Sequence, residues 1–395
     1  MTFNYHPEIL RIKHKIIENR RHFHKHPELS FQEYNTSKRI AQKLKSYGLD
    51  VIENVGKTGV IGILKGQGKG KTIALRADMD ALPMQETSNL EYKSINDGVM
   101  HACGHDGHMA ILLGAAKVLS KIKNKINGNV KFIFQPAEEG LGGARFMIKD
   151  GALKNVDEIY GLHLWNYQQF GTIGVQDGPV MAAADKFTIK VLGKGGHGAA
   201  PQGTVDATIV SSHVIQALQT IVSRNTNPLE STVITIGQIN GGYNFNIIAD
   251  EVTLKGPSRS FTEKNRLLIK TRMKEILTGL EKAFKAKIEL DYEDGYPPVI
   301  NSEKQTNKVR NAVKEVAPKG IVDPYITMGG EDFSYYLQKK PGCFFFLGSN
   351  PNKVKKINTP HHCSHFDINE DSLILGASIF VRLIESQLLI VDKKE

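Results

Sequence analysis

The sequence predicts an α/β protein of two domains, an outer one with an open sheet flanked by helices and an inserted one with the order βαββαβ. Three observations carry this expectation. Short apolar runs alternate with longer stretches of helical period in residues 7–163 and again after residue 300. From Asp185 the order changes to strand, helix, strand, strand, helix, strand, a ferredoxin-like unit. A chain of 395 residues is also too long for one ordinary core, and Gly178-Pro179 and Tyr296-Pro297-Pro298 offer hinges on either side of the change. The expected boundaries are 1–184 and 298–395 for the outer domain and 185–297 for the insert.

Taken in order, Pro7 followed by Ile9, Leu10, Ile12, Ile16 and Ile17 at helical spacing opens a helix that runs into Arg20-Arg21-His22-Phe23-His24-Lys25-His26. No apolar wall is expected around His22, His24 and His26, so they read as a partly exposed helix end and not as ligands. Ser30 with Glu33 reads as a capping box for a second helix, with Ile40, Ala41, Leu44 and Tyr47 on one face and Gly48 as its stop. Strands are predicted at 59–64 and 72–76. The second leads to Asp78 and Asp80 at its C-terminal end, where open α/β sheets place their chemistry; the plainer reading is a loop with capping aspartates.

A helix over 109–122 follows, then a strand at 130–134 ending in Glu138 and Glu139, a helix at 142–150, and a strand at 158–162 that delivers His163. In the insert, strands are expected at 185–192, 231–239, 251–261 and 287–292, with helices at 205–223 and 263–286. Beyond it come a helix at 304–316, a short helix opened by Met328-Gly329-Gly330-Glu331-Asp332-Phe333, a strand at 343–347 and a last helix at 370–389.

The composition, 40% hydrophobic and 23% charged, is that of a globular chain. No apolar run is long enough to cross a bilayer, and the N-terminus lacks a basic-then-apolar signal, so no membrane role and a cytoplasmic location are expected. Three cysteines, an odd number in a large chain, argue for reduced thiols over a disulfide framework. A net charge of +10 invites a nucleic-acid reading, but the lysines are dispersed and no zinc-finger or RNA-motif signature accompanies them. A solvated surface that attracts small anionic substrates fits better, with no nucleic-acid partner.

The chemistry concentrates in His101-Ala102-Cys103-Gly104-His105-Asp106-Gly107-His108. Thiolate and imidazole are the ligands of zinc and its borderline neighbours, and Gly104 and Gly107 are expected to let the backbone bend so that side chains converge. Further ligand types fall at other predicted strand ends and loops: Glu138 and Glu139, His163, and His361 or His362. Adjacent carboxylates on an irregular segment diverge, so one can hold a metal while the other moves protons. A lone histidine such as His163 is more often packed than ligating. Four such loops at one sheet edge point to a mono- or binuclear metal site.

These residues resemble the aminoacylase, hippurate hydrolase and indole-3-acetyl-amino acid hydrolase family of metallopeptidases, in the branch with a cysteine metal ligand. The resemblance runs through Arg21–Leu29, Arg76–Pro83, the opening motif, Gln135-Pro136-Ala137-Glu138-Glu139-Gly140, Gly161-Leu162-His163, Gly195-Gly196-His197, Gly330-Glu331-Asp332-Phe333, and His362 placed four before Phe366. It implies a zinc-peptidase-like catalytic domain with a central mixed sheet, and a lid and dimerisation role for the insert. It further implies two divalent metal ions per subunit, zinc, manganese, cobalt or nickel, held by Cys103, His105, Glu139, His163 and His362. Glu138 is then the general base, Asp80 a carboxylate orienting a ligand, and His197 a lid histidine that reaches an active site across a dimer. Arg259 and Asn246 are the expected binders of a substrate carboxylate. Pro257 departs from the family where a hydrogen-bonding strand residue is usual. The implied activity is hydrolysis of an N-acyl or N-aroyl amino acid to a carboxylate and a free amino acid. The alternatives are a dipeptidase, an N-acetyl-diaminopimelate-type deacetylase on the same fold, and a catalytically silent metal-binding protein.

Overall fold

The computed structural model describes residues 2–351 and 359–390, and the chain forms two compact units. One comprises Met1–Val180, Ile300–Ile326 and Asp332–Glu395, the other Met181–Val299 and Thr327–Glu331.

The first unit is built on an eight-stranded mixed sheet. Its spatial order is Asp50–Val55, Gly59–Lys65, Asn127–Gln135, Gln67–Asp78, Glu158–Gln169, Gly342–Asn350, Ile173–Gly174 and Ile321–Val322. The four central strands run parallel, and the register pairs Asp78 with Gln135 and Arg76 with Gly161, so three neighbouring strands bring their downstream residues to one edge. That edge is where the candidate ligands emerge. The strand carrying His163 continues to Gln169, so His163 lies within a strand and not at its end. It lies two residues past the last residue paired with Gln67–Asp78, however, and on that side it is clear of the ladder. The edge strand Asp50–Val55 gives no clear sequence signal, because most of its residues are exposed and its apolar residues do not alternate with polar ones.

The helix His105–Lys121 is buried along almost its whole length and starts at the metal-ligand motif itself, four residues before the predicted start. Gly104 caps it at φ +90, as a bend requires. Gly107 has a different role from the one expected. It lies inside the helix, and a Cβ there would meet the Leu164 side chain at 2.3 Å, so it sets a close approach to the His163 strand. Two other expectations fail. Ser30 and Glu33 form no capping box: the helix Tyr34–Ser46 has Glu33 as N-cap without a side-chain cap bond. Both side chains turn inward, Ser30 to Asp80 and Glu33 to Thr58 and the Ala137 amide. His24 is fully buried and not partly exposed, since it packs against the helix His105–Lys121 and its ring contacts Asp106 and Glu86.

The second unit is an antiparallel sheet in the order Thr232–Ile234, Glu251–Ser260, Ala183–Leu192, Lys287–Tyr296, with Gln238–Gly241 also paired to Glu251–Ser260. The helices Ala207–Thr220 and Glu263–Phe284 complete the order βαββαβ. Pro257 does not break its strand: the pairing with Ala183–Leu192 runs without a shift from Glu251 to Ser260. Among the described residues, no helix is long and apolar enough to cross a membrane.

One buried carboxylate ties the first unit together and yields a pH prediction. Burial alone would raise the Glu158 carboxyl, but hydrogen bonds from Lys308, Lys71 and Tyr160 hold it down at about 2. A lowered folded value means that its stabilisation is present above the unfolded pKa and is lost as pH falls through the folded one. Lys71 is half-exposed, so solvent screens part of the effect and about 2 kcal/mol is expected. Denaturant unfolding of the wild type and Glu158→Gln should differ by that amount at pH 6–7. The difference should shrink between about pH 4.5 and 2; a gap constant across that window contradicts the assignment.

Candidate metal centre

Cys103, His105 and His163 place one ligand atom each within 4.8 Å of one another, as do Cys103, Glu139 and His362, and as do His105, Glu138 and Glu139. The structure thus brings together six residues singled out in the sequence, with Cys103 common to two of the triads.

The histidine tautomers follow from their hydrogen bonds. His105 Nδ1 donates to the Asp80 carbonyl at 2.9 Å, which aims Nε2 into the cluster; that atom is buried and has no hydrogen-bond partner. His163 Nδ1 donates to the Leu164 carbonyl at 2.7 Å and turns Nε2 toward Cys103 Sγ at 3.6 Å. His361 is different. Its Nε2 accepts from the Asn166 amide at 3.1 Å, so its proton is on Nδ1, facing Cys103 Sγ at 3.7 Å. Both its nitrogens are in use. His362 keeps Nε2 3.3 Å from Glu139 Oε1 and adopts φ +62.

Buried residues behind these ligands fix their positions. Asp80 accepts from the amides of Glu138 and Glu139 at 2.9 and 3.0 Å and from Ser30 Oγ at 2.7 Å, so its carboxylate grips the glutamate loop while its carbonyl holds His105. Glu33 accepts from the Ala137 amide, and Ala137 itself adopts φ +55. His108 bridges two segments. Its Nε2 accepts from the Leu164 amide at 2.9 Å, and its Nδ1 donates to Asp78 at 2.6 Å. Asp78 is paired with Arg76 at 2.5 Å, and Arg76 with Asp332 at 2.9 Å and Gln135 at 2.9 Å. Gln135 and the Ala144 amide satisfy Asp332. Sequence reasoning missed the roles of Glu33, Arg76, Asp78, His108 and Asp332. Asp78, His108 and Asp332 fall in motifs that the sequence singles out without these roles, and Arg76 and Asp78 are also a pair of charged residues in a strand otherwise apolar from Ile73 to Met79.

The electrostatics suit a cation. Burial pushes the Cys103 thiol well up, and Glu139, Glu138 and Asp78 push it further. Burial would lower His105, but Asp78, Asp80 and Glu139 overcome it and hold the imidazole up at about 10, so the same carboxylates that attract a cation keep a proton on Nε2 that the cation displaces on binding. Burial, then His108 and His361, keep His163 neutral. A set of sulfur, nitrogen and carboxylate oxygen, buried at His105 and His163 and open at His362, with an unpartnered His105 Nε2 aimed into it, fits a borderline divalent metal.

In the second unit, His197 and Asn246 line one cavity of about 440 Å³ with Tyr243 and Asp250. His197 Nδ1 accepts from the Ala199 amide at 3.0 Å, so a neutral ring carries its proton on Nε2, available to a ligand. Arg259 does not line that cavity; its guanidinium donates to the carbonyls of Asp185 and Ser258, and burial lowers its pKa.

The sequence matches Peptidase family M20/M25/M40 over residues 74–386, most of the chain. The chain belongs to this family. Among M20 relatives, the N-acyl-L-amino acid amidohydrolase of Geobacillus stearothermophilus is 44% identical over 78% of this chain and 84% of its own length. Thermostable carboxypeptidase 2 of Saccharolobus solfataricus is 43% identical over 94% of both chains. A solved M20 structure, the Bacillus subtilis YXEP protein, a dinuclear metal binding peptidase, matches with a TM-score of 0.84 at 34% identity, covering 95% of this chain and 98% of that one.

Proposed function

We propose that this M20 protein is a metal-dependent amidohydrolase that cleaves the amide bond of N-acyl amino acids, releasing a carboxylate and a free amino acid. The observation that carries the reading is the pair of ligand triads sharing Cys103, in which the backbone hydrogen bonds of His105 and His163 leave their Nε2 atoms as ligands. Cys103, His105, Glu139, His163 and His362 would hold two divalent ions, zinc, manganese, cobalt or nickel. Such ions, when bound, make hydroxide available at neutral pH and polarise an amide carbonyl.

The protein's own groups do the rest. Glu138, buried beside Glu139 on the loop gripped by Asp80, takes the proton of the attacking water and returns it to the leaving nitrogen. Asp80 keeps Glu138, Glu139 and His105 in register and is a positioning residue. His197 donates from Nε2 to the developing oxyanion, in its own subunit or its partner's. The amino-acid carboxylate is assigned to Asn246 and to Arg259, whose guanidinium would exchange its bonds to the Asp185 and Ser258 carbonyls for the substrate. The second unit acts as lid and joins two subunits through its Gln238–Gly241 edge, where Ile239 is exposed. Three free thiols suit a cytoplasmic setting.

The carboxypeptidase relative favours a second reading, in which the acyl group is itself an aminoacyl residue. Hippurate, N-acetyl amino acids and dipeptides assayed side by side with manganese, cobalt, zinc or nickel separate the two. N-acyl amino acids should be turned over faster than dipeptides, and chelation should abolish both. Faster dipeptide cleavage would establish the second reading, and no turnover with any metal would leave a silent metal-binding protein.

A further inference from the structure

We propose that Arg20 is a positioning residue of the metal centre: it clamps Asp106, next to His105, to Asp367, in the segment that carries His362, and so sets the affinity of the ion that His362 helps to hold. This role rests on the two-metal reading above and adds what keeps its most exposed ligand in place. Arg20 lies on the helix Lys13–Lys25 and is 0% exposed. Its Nε donates to Asp106 Oδ2 at 2.8 Å and its Nη2 to Asp367 Oδ1 at 2.8 Å, while Nη1 reaches Glu370 Oε1 at 3.4 Å. Glu370 has a partner of its own, since Arg21 grips both its oxygens at 2.9 and 2.7 Å. Asp106 and Asp367 therefore depend on Arg20. A planar guanidinium presents its donors at fixed angles, so it sets the relative position of two carboxylates as a flexible ammonium cannot. The Tyr92 ring, with its centroid 4.8 Å from Arg20 Cζ, and His24 Nδ1, 2.9 Å from Asp106 Oδ2, complete the buried cluster.

His362 is the ligand that needs such a clamp. His105 and His163 are buried on a helix and a strand, whereas the His362 side chain is 53% exposed and its segment is neither helix nor strand. Its φ of +62 is a conformation that an L residue keeps only where the surroundings impose it. Hydrogen bonds tie the segment to three neighbours: the His362 amide donates to the Ala102 carbonyl at 2.8 Å, the Thr87 amide to the Ser364 carbonyl at 2.7 Å, and Asn166 Nδ2 to the Asp367 carbonyl at 2.8 Å. The charged link from this segment to the helix His105–Lys121 runs through Arg20, with Tyr92 Oη a longer donor to Asp367 at 3.4 Å. One guanidinium thus joins the two ends of the ligand set, which lie far apart in the sequence.

The test equilibrates the zinc-loaded full chain with buffers of falling free zinc and counts the ions kept per subunit. Arg20→Met would leave Asp106 buried without a counter-charge, so the link is cut from the other side, where Asp367 is 25% exposed. Asp367→Ala should weaken one of the two ions about 10-fold and the other by less than about 2-fold. Asp367→Asn keeps an oxygen for Arg20 Nη2 and should restore most of the affinity. His362→Ala should weaken the same ion, and adding Asp367→Ala to it should cost little more, because the clamp acts through His362. A residue that only stabilised the fold would weaken both ions alike and add to His362→Ala. The clamp is overturned if both ions weaken together, if the two substitutions are additive, if Asp367→Asn is as weak as Asp367→Ala, or if neither affinity changes. Failure of the two-metal reading shows separately, as a wild type that keeps fewer than two zinc ions, and overturns the clamp with it.

Discussion

Glu138→Gln is expected to lower kcat by about 10²- to 10⁴-fold while leaving metal content and KM nearly unchanged. The substitution removes the proton acceptor and preserves shape. The grip of Asp80 on the loop survives, because its partners are the backbone amides of residues 138 and 139 and not the Glu138 side chain. Glu139→Gln should behave differently: Glu139 belongs to the triad with Cys103 and His362, so its loss should lower metal content together with activity. Steady-state kinetics with metal analysis on both variants checks the division of labour. Full activity of Glu138→Gln with metal retained would remove Glu138 from the mechanism.

Arg76→Met should strongly destabilise the first unit. Arg76 and its partners Asp78 and Asp332 are buried, and removal of the guanidinium takes away the cation the two carboxylates share, leaving Asp332 with neutral donors only. Breaking a buried pair from one side costs about 3–5 kcal/mol. Burial already pushes Asp332 up to about 6 even with Arg76 beside it, so adding Asp332→Asn to Arg76→Met should recover part of the loss. Denaturant unfolding of the two single variants and the double variant measures this. A loss under about 1 kcal/mol for Arg76→Met would show that water or relaxation replaces the guanidinium. Metal affinity should fall as well, because Asp78 holds His108 and His108 holds the Leu164 amide next to His163.

Much of this protein was legible locally. The alternation of apolar periods marked the central strands and the long helices, and glycine or proline marked their ends, because these signals depend on neighbours a few residues away. The ligand types were legible too, since sulfur, imidazole and carboxylate crowd into few loops. The misreadings share one cause. Ser30 and Glu33 have the spacing of a capping box, yet tertiary partners fifty and more than a hundred residues away, Asp80 and Ala137, take both side chains. His24 lies where a helix end is ordinarily wet, and the packing of a second helix buries it.

The sequence by itself determined the mixed α/β order, the βαββαβ segment and the set of residues able to hold a metal. Only the tertiary structure decided which atoms of those residues are free. His361 and His362 are adjacent and chemically identical on paper; the Asn166 amide occupies Nε2 of the first, while the second faces Glu139. The same holds for the opening motif, where Cys103 and His105 point into the cluster and His108 is turned away to bridge Asp78 and Leu164. The physical reason is range. Residue type and period act over a turn or a strand, whereas a tautomer or a buried ion pair is set by segments that meet only once the sheet has brought their ends together.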